Sequence, residues 1–360
     1  MEVTIQAEDL APIIAKCASI AKTAVLIEAA NARVTITATD TQIEASGSAT
    51  ATVVMVPGQA VVPADVLRDV LKVCKGAVSI AHGLKSRLRI RCGAATWNLP
   101  LLEADAVPRM ALDKAPKRSM TVRCSGADLA VAIGCTAFAV SKESTRYGLN
   151  GALVEHTPDG LTLVATDGTR LALYSVLVDE GEGDAKGALL PPAFLRMAQA
   201  VCAGAKMDSV TLTVDDRTAR LSGDQWTIIA RLMDGEFPDY RQVIPKSASL
   251  TVAVPKAAML AALDATATVS AGPRGVVELR FGEERMLVQG RHQDLGDASI
   301  EVETDTTGKP INIGFMVSLL RETVAHVPVS DLKLEMTAPL NPLVIRAQPG
   351  LWIVMPCRMD

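Results

Sequence analysis

Val154-Glu155, then Leu161-Thr162-Leu163-Val164, then Ala165-Thr166-Asp167 is a stretch that occurs twice: Ile27-Glu28, Val34-Thr35-Ile36-Thr37 and Ala38-Thr39-Asp40 match it with the same displacement at both ends. Each copy places apolar residues on both sides of a short break, the pattern of two antiparallel strands joined by a turn. A third copy, Glu278-Leu279 through Met286-Leu287-Val288, is recognisable but decayed. Ahead of each hairpin stands a strand that leads into an amphipathic helix. These are Val3-Thr4-Ile5 into Asp9-Leu10, Met120-Thr121-Val122 into Asp128-Leu129, and Leu250-Thr251-Val252 into Met259-Leu260. Behind each hairpin a short extended segment opens a second helix: Val62-Pro63 before Leu67-Arg68, Leu190-Pro191-Pro192 before Leu195-Arg196, and Ile313-Gly314 before Leu320-Arg321. Proline is tolerated there because the first helical N–H groups have no intrahelical partner. Alternating runs such as Val210-Thr211-Leu212-Thr213-Val214 and Leu332-Lys333-Leu334-Glu335-Met336 read as half-buried antiparallel strands.

Three patterns in the same order in three successive thirds point to duplication. The chain therefore reads as an α+β protein of three homologous domains, 1–118, 119–248 and 249–360, each with two helices and about eight short strands. Strand edges pair with something, so similar units in a row are expected to join edge to edge into an arc. Two matching arcs close into a ring by two-fold symmetry. Helices would then line one face, with Lys16, Lys22, Arg68, Lys72, Lys75, Arg196, Lys206 and Arg321 as its candidate basic residues.

Hydrophobic residues at 49% and charged residues at 21% describe a globular chain, while only 3% aromatics leave the core to Ala, Val, Leu, Ile and Met. No apolar run approaches the ~18 residues needed to span a bilayer. Glu2, Glu8 and Asp9 stand where a signal peptide is basic and then apolar. The expectation is a cytoplasmic protein without membrane partners. A net charge of -4 argues against binding nucleic acid by bulk attraction, which scales with the phosphates neutralised, but not against a few basic residues kept on one surface. The cysteines are seven, an odd number without a CxxC pair, so neither a zinc site nor a disulfide framework is expected.

The residues offer little to an enzyme reading. His82, His156, His292 and His326 show no HExxH spacing, and neither a GxxxxGK[ST] loop nor a GxSxG elbow occurs. Asp40 and Asp167 recur as a pair, and their parallel origin in two domains favours a turn role over acid chemistry. No catalytic residue, metal or cofactor is expected. A repeat-built binding scaffold that never encloses DNA remains the alternative.

Three further stretches carry a specific resemblance. They are Arg146-Tyr147-Gly148-Leu149-Asn150-Gly151 followed by Ala165 to Ala172, Asp234-Gly235-Glu236-Phe237-Pro238-Asp239-Tyr240-Arg241-Gln242-Val243-Ile244-Pro245, and the tail Val354-Met355-Pro356-Cys357-Arg358-Met359. With the threefold repeat they make the whole chain resemble the beta sliding clamp of bacterial DNA polymerase III. The resemblance implies a head-to-tail homodimeric ring around duplex DNA, three domains per protomer and no catalysis. A ring held by topology tolerates weak, water-mediated contacts, which suits an acidic chain.

The resemblance also implies a hydrophobic cleft between domains two and three. It receives short peptides from the polymerase alpha subunit, the clamp loader delta subunit, other polymerases and repair proteins. Matching positions are Leu149, Thr166, Gly168, Thr169, Arg170, Leu171, Pro238, Gln242, Val243, Leu340, Val354, Met355, Pro356, Cys357, Arg358 and Met359. Arg170 is expected to offer a guanidinium donor and a planar face at the rim. On the residues alone, Asp167-Gly168-Thr169-Arg170 reads equally as a polar hairpin turn. The implied DNA contacts are Lys22, Lys75, Tyr147 and Gly148, with Lys142 and Arg146 in the same loop compensating for Glu143 and for the missing aromatic at Gly148. Ring closure would use Trp97 and Leu99 against Thr268 and Val269, although Trp97 reads equally as a core residue of its own domain. The chain departs from the family pattern at Thr23 to Ile27, which lack a Pro-Ile-Leu element, and at Val107-Pro108, Pro273, Met316, Leu319 and Asp360. These mark a divergent member.

Overall fold

The computed structural model describes the chain except residues 22, 85, 111–118, 158–159, 185, 205–206, 271–274 and 359–360. Lys22, Lys206, Pro273, Met359 and Asp360 fall outside the described residues. The described chain forms two compact units. Unit 1 comprises Met1–Ala130, Val178–Ala185 and Ala193–Leu232; unit 2 comprises Val131–Leu177, Lys186–Pro192 and Met233–Asp360.

The first third holds β1 (Glu2–Gln6), α1 (Ala7–Cys17), β2 (Val25–Ala30), β3 (Arg33–Thr39), β4 (Ile43–Thr50), β5 (Val53–Val56), β6 (Gly58–Val62), α2 (Ala64–Val73), β7 (Ala77–His82), β8 (Arg87–Cys92) and β9 (Ala95–Pro100). The second repeats this order with β10 (Ser119–Cys124), α3 (Gly126–Thr136), β11 (Ala152–Thr157), β12 (Gly160–Thr166), β13 (Arg170–Val176), β14 (Glu180–Gly183), β15 (Leu189–Leu190), α4 (Pro192–Gly204), β16 (Val210–Asp215), β17 (Thr218–Ser222) and β18 (Trp226–Arg231). The third holds β19 (Leu250–Pro255), α5 (Lys256–Ala267), β20 (Val276–Phe281), β21 (Arg285–His292), β22 (Gly296–Glu303), β23 (Asp305–Gly308), β24 (Asn312–Met316), α6 (Val317–His326), β25 (Asp331–Met336), β26 (Leu343–Ala347) and β27 (Gly350–Val354). Among the described residues each third has nine strands, close to the roughly eight that the pattern predicts. The shortest, the two-residue β15 at a sheet edge, is too brief to show alternation in the sequence.

Apolar spacing builds the helices. In α1 the buried residues are Ala7, Leu10, Ile13, Ile14 and Cys17, and in α2 they are Ala64, Leu67, Val70 and Leu71. Both sets form one stripe at the 3.6-residue period. Burying each Leu or Ile contributes roughly 1.5–3 kcal/mol. The tight turns are capped by the repeated aspartates: Asp40 Oδ1 accepts from the backbone N–H of Gln42 and Ile43, and Asp167 Oδ1 from those of Thr169 and Arg170. Asp215 serves the same role toward Arg217 and Thr218. The hydrogen bonds make the recurring aspartates turn residues.

The sheets show how the thirds join. In unit 1 a nine-stranded sheet runs β14-β10-β16-β17-β18-β4-β3-β2-β6, and in unit 2 another runs β15-β11-β12-β13-β27-β26-β25-β19-β23. In the first, β18 of the middle third pairs antiparallel with β4 of the first, Ile228 opposite Ala45. In the second, β13 pairs with β27 of the last third, Leu171 opposite Ile353. The strands of the middle third are therefore divided between the two compact units. At the first seam Gly47 is required: a Cβ there would lie 2.7 Å from Ile13 Cγ2 and 2.8 Å from the Trp226 ring. Its absence lets α1 lie against the joint. A five-stranded sheet, β5-β1-β7-β8-β9, completes unit 1, and a four-stranded sheet, β22-β21-β20-β24, completes unit 2.

Candidate functional site

The positions predicted for a partner cleft, apart from Met359, all fall in unit 2. Strand register brings them to one end of its nine-stranded sheet. The turn between β12 and β13 carries Thr166 to Arg170, and Arg170 pairs with Val354, where β27 gives way to the tail. Leu343 also pairs with Val354, so the turn before β26, with Leu340, leaves the sheet at the same end. The tail is pinned there: Met355 donates its N–H to the Thr169 carbonyl at 2.8 Å, and Cys357 donates to the Gly314 carbonyl at 2.9 Å. Burial pushes the Cys357 thiol above its ordinary pKa.

Alternation along the strands sorts these residues onto two faces. Leu171, Ile353 and Leu351 share one face and pack with Leu153, Val164, Val344, Phe237 and Tyr240, with Leu149 and Ile244 half-buried against them. Pro238 and Gln242 are exposed on the segment that covers this cluster. Tyr240 is fixed by donating its hydroxyl to Glu155 Oε2 at 2.8 Å, and burial first, then this carboxylate, raises its pKa. The segments that carry the cluster also hold exposed apolar side chains, Val243 at 49%, Leu340 at 67% and Met355 at 41%. Pro356 is half-buried beside them and Arg358 is exposed. Exposed apolar side chains on the segments that carry a packed cluster make a surface suited to short apolar side chains of a partner. Ile353 belongs to this cluster and was missing from the sequence assignment. Only strand phase distinguishes it from its neighbour Val354, which is fully buried on the opposite face.

Arg170 corrects the sequence expectation. Its side chain is 6% exposed and offers no donor at a rim. Nε donates to Asp167 Oδ2 at 2.9 Å, Nη1 to Glu322 Oε2 at 2.7 Å and Nη2 to the Phe138 carbonyl at 3.0 Å. The guanidinium lies 5.0 Å from the Phe138 ring centroid, and that ring stacks on His326 at 4.3 Å. His326 in turn donates Nδ1–H to the Glu322 carbonyl at 2.8 Å. A buried arginine needs such partners, because an unpaired charge out of water is costly. Phe138, Glu322 and His326 carry no local sequence signal for this role; α6 brings them to Arg170 only in three dimensions. Thr166 is likewise a turn residue, donating to the Arg170 carbonyl at 2.5 Å and accepting from Gly168 N–H at 3.1 Å.

The predicted DNA contacts distribute as follows. Lys75 is exposed just past the end of α2, not within it, and Arg68 on that helix is paired with Asp65 and Asp69 at 2.6 and 3.0 Å. In unit 2 Lys142 is exposed, while Arg146 is bound to Glu143 at 2.7 Å and to the Asp167 carbonyl at 2.9 Å. Tyr147 is 66% exposed. Gly148 cannot bear an aromatic: a Cβ at this position would run into the Glu236 carbonyl oxygen. Of the ring-closure candidates, Trp97 is half-buried on β9, Leu99 is buried in unit 1, Thr268 is exposed and Val269 half-buried after α5. Among the described residues, no group of three or more His, Cys, Asp or Glu converges to hold a metal ion.

Arg321, counted as a basic face residue from the sequence, is bound through Nε and Nη2 to Asp264, tying α6 to α5. This hydrogen bond holds the Asp264 carboxyl below its ordinary pKa. With a depressed native value, the contact stabilises above the ordinary carboxylate range near 4 and is lost as the pH falls through the native value. Both side chains are about half exposed, so solvent screening limits the effect to under about 1 kcal/mol. Asp264→Asn is expected to cost that little in urea unfolding at neutral pH, and the cost is expected to shrink as the pH falls below the ordinary carboxylate range. A cost undiminished at low pH would show that the side chain acts by packing instead.

A threefold α+β repeat with edge-to-edge seams and an apolar patch beside a pinned tail defines a protein of the DNA clamp class. Residues 1–111, 124–239 and 241–351 match, in turn, the N-terminal, central and C-terminal domains of the DNA polymerase III beta subunit. The chain belongs to that family, the beta sliding clamps. It is 32% identical over 314 residues to the beta sliding clamp of Caulobacter vibrioides, covering 84% of this chain and 83% of that one. With the clamp of Pseudomonas putida it shares 27% over 308 residues, again 84% and 83% of the two chains. Among solved structures, the Caulobacter crescentus sliding clamp superposes with a TM-score of 0.85 at 28% identity, over 100% of both chains. A Bartonella birtlesii clamp bound to griselimycin gives 0.89 at 25% identity, with the same coverage.

Proposed function

We propose that this chain is a non-catalytic processivity factor, two copies of which close head to tail around duplex DNA and tether the replicative polymerase. One observation carries the reading. In each nine-stranded sheet five strands of one third meet four of another, through β18 and β4 or through β27 and β13. By the same repeat positions, the strands equivalent to those partners are β9, at the end of the five-stranded sheet, and β22, at the end of the four-stranded one. Pairing β9 of one copy with β22 of another would complete a sheet of the same size, and edges left open are a liability. Trp97 stands on β9, and α5, which leads to Thr268 and Val269, packs on β22. A heterologous contact of this kind closes when the second copy returns it.

In this reading the domains are 1–118, 119–248 and 249–360. Lys75, Lys142, Arg146, Tyr147 and Gly148, with Lys22, face the duplex without reading its sequence. The patch around Leu149, Leu171, Val243, Leu340 and Met355 takes short peptides of the polymerase alpha subunit, the clamp loader delta subunit and repair proteins. The protein acts in the cytoplasm, and no described helix is long and apolar enough to cross a membrane. The test is topological. Protein loaded on nicked circular DNA should dissociate when the circle is cut and should run as a dimer in solution. Retention after linearisation would favour a scaffold that binds the surface of DNA instead.

A further inference from the structure

The seven cysteines contain two that the fold brings together. Cys74 follows the last residue of α2 and is 7% exposed. Cys92 ends β8, opposite Val78 of β7, and is half-buried. Its Sγ donates to the carbonyl of Lys75, the residue next to Cys74, at 3.4 Å. The thiol of Cys74 is pushed up to about 11, first by burial and then by a hydrogen bond with the Cys92 side chain. Cys92 is thus the more accessible thiol, and its Sγ reaches from the end of β8 to the turn after α2 that holds the buried Cys74. Cys17, Cys124, Cys135 and Cys202 are buried, and Cys357 is half-buried at the tail.

We propose that Cys74 and Cys92 are a redox modification site, closed to an intramolecular disulfide by exchange with a small disulfide such as oxidised glutathione. Exchange proceeds through the thiolate. Cys92, the accessible group, loses its proton and attacks the small disulfide, forming a mixed disulfide and releasing one small thiolate, which takes up a proton. Cys74 then gives its proton to solvent as its sulfur attacks Cys92 Sγ and expels the second small thiol. In sum two protein thiols are oxidised to one disulfide, and one small disulfide is reduced to two thiols. Closure clamps the turn that presents Lys75. The inference stands on unit 1 alone and does not depend on the clamp reading.

Cys357 supplies an internal comparison, since it is accessible but has no neighbouring cysteine to resolve an adduct. The folded full chain, freed of reductant, is incubated with oxidised glutathione at mildly alkaline pH, quenched by alkylation and digested without reduction for mass spectrometry. The expected product is a peptide pair linked through Cys74 and Cys92, lighter by two hydrogens, while any modification of Cys357 is a glutathione adduct. With Cys74→Ser, Cys92 should stop at the adduct; with Cys92→Ser, Cys74 should stay reduced. Thermal melting checks that each variant folds, and the half-buried Cys92→Ser serves if Cys74→Ser does not. A stable glutathione adduct on Cys92 of the parent protein, a link from either cysteine to any other, or no reaction at Cys92 would each overturn the proposal.

Discussion

Replacing Arg170 by alanine is expected to destabilise unit 2 by about 3 kcal/mol, the order found when one partner of a buried ion pair is removed. The side chain is almost fully buried, and its loss strands the Asp167 carboxylate, the Glu322 carboxylate and the Phe138 carbonyl together. Glu322 is 43% exposed and recovers part of its hydration, which keeps the cost at the lower end of the usual range. Arg170→Lys should recover only part, because an ammonium cannot reach three acceptors in a planar fork. Urea unfolding at neutral pH measures both. A loss below about 1 kcal/mol would mean that the network is solvated and that Arg170 is free to act at the surface. The same reasoning disqualifies Arg170→Ala as a probe of partner binding, since lost polymerase stimulation would report a damaged fold.

The exposed rim gives the cleaner and larger functional effect. Leu340→Asp combined with Met355→Asp should weaken binding of a partner peptide by at least about a hundredfold. Two apolar anchors, each worth roughly 1.5–3 kcal/mol when buried, are lost and two charges would have to be desolvated. Polymerase stimulation should disappear, while the dimer persists and the melting temperature moves by less than about 2 °C, because both side chains are exposed in the free protein. Calorimetric titration with the peptide, light scattering and melting separate these outcomes. Unchanged stimulation would remove the patch from the partner site. Deleting residues 355–360 is a blunter instrument. It also cuts the backbone bonds from Met355 to Thr169 and from Cys357 to Gly314, and so loosens the end of the sheet it is meant to probe.

Phase errors of one residue separate the readable from the unreadable parts of this site. Leu171 and Met355 were assigned to the cleft from the motifs around them, and the fold brings both to one end of the same sheet. Ile353 was not, because β27 is buried along its whole length and shows no polar alternation to set its faces. Arg170 was placed at the rim by the resemblance alone. Its burial depends on Glu322, which lies 152 positions away. Gly148 stood as a departure from the family, and the structure supplies its reason in the backbone of Glu236 pressed against it. The thiol pair was invisible to spacing, for Cys74 and Cys92 meet only once β7 and β8 pair.

The sequence by itself determined the threefold α+β plan, the strand-helix-hairpin order in each third and the aspartate turns. These are local or periodic properties, written in residues that are near neighbours along the chain. Only the tertiary structure decided that the strands of the middle third divide between two compact units. It also decided which face of β27 packs against Leu171 and the cluster around it, and that the guanidinium of Arg170 is spent inside. Those outcomes depend on which strand edges find each other and on which charges must be satisfied where water is excluded, and neither is encoded within any short window.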